Sequence, residues 1–175
     1  MHRIGYLAIG SNLGDRAATL QQAVDSLAAV KAITIEAASH IVETPAWGYE
    51  SANSYLNAVL RFSTTRVDAD LDGIIEQSET ELGRDRSGSA ETYRDRVIDI
   101  DLIWLEGWEG EGSQLTVPHP QAHLRSFVLM PLEELAADFQ LEAGSIAQCI
   151  DALPDEDYDA LSWRRDLLLK LPGTA

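Results

Sequence analysis

Apolar positions in the first 105 residues fall into four strand-like stretches and two helix-like ones. Residues 4–10, Ile-Gly-Tyr-Leu-Ala-Ile-Gly, read as a buried strand, and residues 32–43 as a second. In 54–64, Tyr55, Asn57 and Val59 alternate with Leu56, Ala58, Leu60 and Phe62, which predicts a third strand. The fourth, 96–104, places Asp99 and Asp101 on one face and Ile98, Ile100 and Leu102 on the other. Helical spacing appears at 16–30, through Leu20, Ala23, Val24 and Leu27, and at 69–82, through Leu71, Ile74, Ile75 and Leu82. Asp15 and Asp68 are candidate N-caps, and Gly83 is a stop. The order β-α-β-β-α-β predicts an α+β, ferredoxin-like sandwich. Both helices are expected on one sheet face. The other face would carry Tyr55, Asn57, Asp99 and Asp101.

The remaining chain adds breaks and short elements. Thr44–Tyr49 contains Pro45 and Gly48 and reads as a loop. Residues 84–95 are polar and too poor in apolar groups to pack firmly, as expected of a lid. A turn at 108–113 and an extended Leu115–Pro120 lead to an apolar helical stretch, Phe127–Leu135. A further short helix is predicted over 144–152. The tail from Pro154 is acidic, then amphipathic. These features predict a single domain over 1–175, with a core over about 4–135 and a C-terminal helical appendage over about 136–175.

Composition narrows the function classes. With 175 residues, 45% hydrophobic, the chain can bury a sizeable core. A single cysteine, Cys149, cannot form an internal disulfide, as expected of a reducing cytoplasm. Met1-His2-Arg3-Ile4 runs straight into a strand, so no signal peptide is expected, and no apolar run has the length of a membrane span. A formal charge of −16 argues against nucleic acid or anionic membranes as partners. Yet four of the 13 Lys+Arg residues, Arg84, Arg86, Arg94 and Arg96, precede the aspartates closely. Such a cluster suits phosphates gathered beside a metal site.

The aspartate pair has two readings. On a strand, Asp99 and Asp101 lie about 7 Å apart along the chain, so their oxygens can converge on hard cations. Alternatively, one pairs with Arg96 and the other faces water. Tyr55 and Asn57 likewise offer a stacking ring and an amide to a flat heterocycle, or form a half-exposed strand face.

Several segments together resemble the 6-hydroxymethyl-7,8-dihydropterin pyrophosphokinase family. They are Ala8–Asp15, Glu43–Gly48, Tyr55–Val59, Glu79 with Leu82–Arg84, Arg96–Asp101, and Leu115–Pro120 followed by Arg125 and Phe127. They keep the family's order and spacing over about residues 4–135. The resemblance implies transfer of the β,γ-diphosphate of ATP to the pterin hydroxymethyl group, releasing AMP, in folate biosynthesis. It implies two Mg²⁺ ions on Asp99 and Asp101, and a pterin stacked between Tyr55 and Phe127. Asn57 and the Thr44, Pro45, Ala46 and Trp47 segment would read the pterin edge. Arg84 and Arg96 would engage the transferring phosphates. Arg86, Tyr93, Leu102, Thr116, His119 and Arg125 would bind ATP. A cytoplasmic monomer is expected.

The sequence departs from the family pattern in places. Tyr93-Arg94-Asp95 stands where many members have Trp-Gly-Pro. Ala46 replaces a second proline, and Ser87 replaces a basic residue. Gln114 and Pro120 stand where some members have arginine and tyrosine. Two other classes share parts of the pattern. Nucleotidyl transferases also carry Gly-Ser and Asp-x-Asp, but close together rather than separated by most of the βαββα unit. A ferredoxin-like binding module would need neither the arginines nor the paired aspartates.

Overall fold

The protein is described by a computed structural model covering residues 2–66, 68–85, 94–111 and 115–173. The element order is β1 (Arg3–Ser11), α1 (Arg16–Ala29), β2 (Ile33–Ala38), β3 (Ile41–Thr44), β4 (Tyr55–Thr64), α2 (Asp68–Glu81) and β5 (Asp99–Leu105). There follow β6 (Gly110–Glu111), β7 (Thr116–Val117), α3 (Ser126–Ala136), β8 (Gln140–Leu141), β9 (Gly144–Ser145), α4 (Ile146–Asp151), α5 (Asp155–Asp159) and β10 (Ser162–Arg164). The architecture is mixed α+β.

Among the described residues the main sheet runs β10-β3-β4-β1-β5, with β2 also paired to β4. All these pairs are antiparallel. The predicted strand over 32–43 is two strands, with Ser39 and His40 between them. Ser39 Oγ accepts from the Val59 amide at 2.9 Å, and Ser39 N donates to the Val59 carbonyl at 2.9 Å. The chain therefore turns at this point while staying bound to β4.

Helix α1 begins, and α2 ends, as their punctuation predicts, whereas Asp68 is the first residue of α2. Asp15 accepts from the Ala18 amide at 3.1 Å, and Gly83 takes φ +90° just beyond α2. Leu20, Ala23, Val24 and Leu27 of α1 and Leu71 and Ile75 of α2 pack on one sheet face with Leu7, Ile9, Leu60, Phe62, Ile98, Ile100 and Leu102. Each fully buried leucine there contributes about 1.5–3 kcal/mol.

The second face differs from the expectation that helices pack on one side only. Helices α3 and α4 cover part of it through Val128, Leu129, Leu132, Ile146 and Cys149, over Tyr6, Val59 and Ile103. The apolar spacing of α3 required such a partner surface, and the second face was the available one. The tail also departs from an all-helical appendage. It includes the short helix α5, but Ser162–Arg164 then pairs with Ile41–Glu43 as an edge strand. Arg164 Nη1 ties that strand to Glu43 at 2.8 Å.

Candidate active site

The uncovered part of the second face forms an open cleft with about 120 Å³ of water-accessible space. Its floor follows from strand register. Gly10 of β1 lies between Asn57 of β4 and Asp99 of β5; Ala8 lies between Val59 and Asp101. Two small residues on the central strand leave a trough between the amide and the carboxylates. A Cβ added at Gly10 would come 2.5 Å from Asn57 Oδ1. The glycine thus lets the Asn57 side chain lie across the sheet, where Nδ2 donates to Thr44 Oγ1 at 3.3 Å. Gly10→Ala is expected to displace Asn57 and, on the reading of Asn57 as a pterin contact, to raise the pterin KM roughly tenfold with the ATP KM little changed. Steady-state kinetics with each substrate varied would check this.

The arginines meet the aspartates directly. Arg84 Nη1 and Arg96 Nη1 each donate to Asp99 Oδ1 at 2.7 Å. Arg84 also pairs with Glu79, a carboxylate only 1% exposed whose Oε1 accepts from the Ile100 amide. Arg125 Nη1 donates to Asp101 Oδ2 at 3.1 Å, and its Nη2 donates to Gln121 Oε1 at 2.8 Å. Asp99 thus pairs with Arg96, as the second reading has it, but Asp101 is paired too, with Arg125, and the two carboxylates face one cleft together.

The cleft opposes the charged form of Asp101. Burial, and then the like charge of Asp99, push Asp101 up to about 7, despite Arg125 beside it. Burial, with Arg125 adding to it, lowers His119 to about 4, so this imidazole is neutral at neutral pH. Its Nδ1 accepts from the Gln121 amide at 3.1 Å. The proton therefore sits on Nε2, 3.8 Å from Asp101 Oδ2, which makes His119 a hydrogen-bond donor to the cleft rather than a base.

Aromatic rings wall the other side. Tyr55, Trp47 and Phe127 line the cleft, and the Arg125 guanidinium lies 5.1 Å from the Trp47 ring centroid and 5.7 Å from that of Phe127. Of the predicted site residues, Thr44, Pro45, Trp47, Tyr55, Asn57, Arg96, Asp99, Asp101, His119, Arg125 and Phe127 line this one space. Arg84 reaches it through Asp99.

Three predicted residues are not brought into the cleft. Ala46 lines a shallower neighbouring surface with Pro45 and Tyr49. Thr116 is exposed on β7. The Leu102 side chain is in the core on the opposite strand face, which leaves its backbone for any nucleotide contact. Arg86, Tyr93, Ser87 and Gln114 lie outside the described residues. Tyr49 and Arg94 also line the cleft; Arg94 belongs to the arginine cluster read from the sequence, though neither residue was given a particular place in the site. The Tyr49 ring beside Gly48 was visible in the sequence, but nothing in the spacing tied it to Tyr55.

Paired carboxylates, a cluster of arginines and a flat aromatic slot define a phosphate-transferring enzyme with a small heterocyclic substrate. The model of the 7,8-dihydro-6-hydroxymethylpterin-pyrophosphokinase (HPPK) family matches residues 6–137. The 2-amino-4-hydroxy-6-hydroxymethyldihydropteridine pyrophosphokinase of Bacillus subtilis is 38% identical over 145 residues, covering 83% of this chain and 85% of that one. The protein of the same name from Porphyromonas gingivalis is 37% identical over 141 residues, covering 80% and 95%. Among solved structures, wild-type Plasmodium falciparum HPPK-DHPS with pteroate matches with a TM-score of 0.66 at 11% identity. It covers 86% of this chain, which spans 44% of that longer one, so the likeness is one of fold. The chain belongs to the HPPK family, and its reaction is the transfer of pyrophosphate from ATP to a pterin.

Proposed function

We propose that this cleft carries out that reaction as a single ferredoxin-like domain, with the pterin seated over Asn57 and between Tyr55 and Phe127. The observation that carries the reading is the Asn57–Gly10–Asp99 row. It sets an amide with donor and acceptor atoms beside the acidic pair, over a glycine whose missing Cβ lets that amide lie across the sheet. Thr44 and the Pro45–Trp47 backbone would read the rest of the pterin edge. The strand order β5-β1-β4-β2 around α1 and α2 supports the split βαβ description.

The acidic pair fits Mg²⁺. Among the described residues no three His, Cys, Asp or Glu side chains form a metal cage. Two carboxylates completed by phosphate oxygens and water are the usual coordination for Mg²⁺ with nucleotides. Two ions, held by Asp99 and Asp101, would neutralise phosphate charge and align the attacking and bridging oxygens. The chain's own groups then have defined tasks. Arg84 and Arg96, which now share Asp99 Oδ1, would turn to the oxygens of the transferring diphosphate. Arg125 and the Nε2–H of His119 would hold ATP phosphates, and Arg86, Tyr93, Thr116 and the Leu102 backbone would complete the nucleotide site. The pterin hydroxyl oxygen attacks the β-phosphorus, its proton passes to water, the bond from that phosphorus to the α,β-bridging oxygen breaks, and AMP leaves with that oxygen.

³¹P NMR with ATP, Mg²⁺ and 6-hydroxymethyl-7,8-dihydropterin tests the reading. AMP and a pterin diphosphate are expected together, and only with the pterin present. Free pyrophosphate as the product would instead indicate nucleotidyl transfer. Omitting Mg²⁺ is expected to abolish both signals.

A further inference from the structure

The carboxylate of Asp95 is a junction between three segments of the chain. Oδ1 accepts from Ser51 Oγ at 2.6 Å, from Asn12 Nδ2 at 2.8 Å and from the Tyr49 hydroxyl at 3.2 Å. Oδ2 accepts from Asn53 Nδ2 at 2.7 Å. The Ser51 hydroxyl leads the donors that hold this carboxyl below its ordinary range, against a smaller opposing effect of burial, so it stays ionised at neutral pH. Charged acceptors make the stronger hydrogen bonds, and here one such acceptor organises a loop that has no secondary structure of its own.

The direction of the hydroxyl bonds follows from that charge. Tyr49 must donate to Asp95, because an ionised carboxylate has no proton to give. The Tyr49 oxygen is then left to accept from the Tyr55 hydroxyl, 2.9 Å away. The relay runs Tyr55 to Tyr49 to Asp95. It ends on the ring that walls the cleft.

We propose that Asp95 is a positioning residue for the pterin subsite. It fixes the Tyr55 ring through Tyr49 and fastens the 49–53 loop beside it through Ser51 and Asn53. The inference rests on the pterin lying against Tyr55, as proposed above. Asp95 is not itself a catalytic group, since its oxygens are occupied by protein donors.

Kinetics of Asp95→Ala, Tyr49→Phe and the double variant test this, with Tyr55→Ala as reference and melting temperatures for each. Asp95→Ala is expected to raise the pterin KM about tenfold, with kcat within about threefold and the ATP KM within about twofold. Tyr49→Phe keeps the ring and removes the relay, and is expected to raise the pterin KM about fivefold. The double variant should be no worse than Asp95→Ala, because both changes cut one chain of bonds. Three results would overturn the proposal: equal rises in both KM values, multiplied effects in the double variant, or a pterin KM that moves in Tyr55→Ala alone. If Asp95→Ala does not fold, Tyr49→Phe decides, and an unchanged pterin KM in that variant rejects the relay. An unchanged pterin KM in Tyr55→Ala would remove the stacking reading itself, and this inference with it.

Discussion

Asp101→Ala is expected to lower turnover about 10³-fold or more while leaving a folded protein. The side chain projects from β5 into the cleft, and its strand neighbours Ile100 and Leu102 pack on the other face. Truncation therefore opens no cavity in the core. It also removes a carboxylate that burial and Asp99 already disfavour in its charged form. Arg125 loses one acceptor but keeps Gln121 and the faces of Trp47 and Phe127. Because Arg125 is buried and gives up a carboxylate partner, a fall of several degrees in melting temperature is expected with the fold retained. Asp101→Asn keeps the volume and should be nearly as inactive, since a neutral amide is a weak ligand for a hard cation. AMP formation at saturating ATP, pterin and Mg²⁺ measures the loss. Turnover near that of the parent would take Asp101 out of the metal site.

The parts of the cleft whose placement was legible in the sequence were those governed by strand alternation. Tyr55 and Asn57 share a face because they are two residues apart, as do Asp99 and Asp101, and register then brings the pairs to either side of Gly10. Periodicity also located α1, α2 and α3. It could not say which sheet face α3 would take, because an amphipathic stripe specifies only that something apolar must cover it. Nor could it foresee β10. Ser162–Arg164 is too short to show alternation, and its attachment depends on Arg164 reaching Glu43 across 121 positions. The Arg16 and Arg164 bonds to Glu43 outweigh its burial and hold that carboxyl below its usual range, which marks the contact as an ion pair. Asp95 escaped for a similar reason. Its partners Asn12, Tyr49, Ser51 and Asn53 are polar loop residues with no periodic signal, and only folding reveals their common acceptor.

Arg84 should show a second large effect, but one that a single variant would misreport. Its guanidinium joins two carboxylates of different kinds: Asp99 in the cleft, and Glu79, buried under the sheet edge with the Ile100 amide. Arg84→Ala takes a cation away from Glu79. Leaving a buried carboxylate without its partner costs about 3–5 kcal/mol, or roughly 6–20 °C in melting temperature for a chain of this size. A fall in activity would then mix lost catalysis with lost fold. Arg84→Lys separates them. Lysine keeps a positive charge near Glu79 but offers a point charge in place of a fork, so it cannot hold Glu79 and a phosphate oxygen in the same geometry. The expected result is a melting temperature much nearer the parent's, kcat lower by about 10², and substrate KM values within about twofold. That pattern marks an interaction made in the transition state rather than in the bound ground state. Single-turnover measurements at saturating substrates would check that the chemical step is the one slowed. A kcat within threefold of the parent in folded Arg84→Ala would show that Arg84 serves Glu79 and the fold alone.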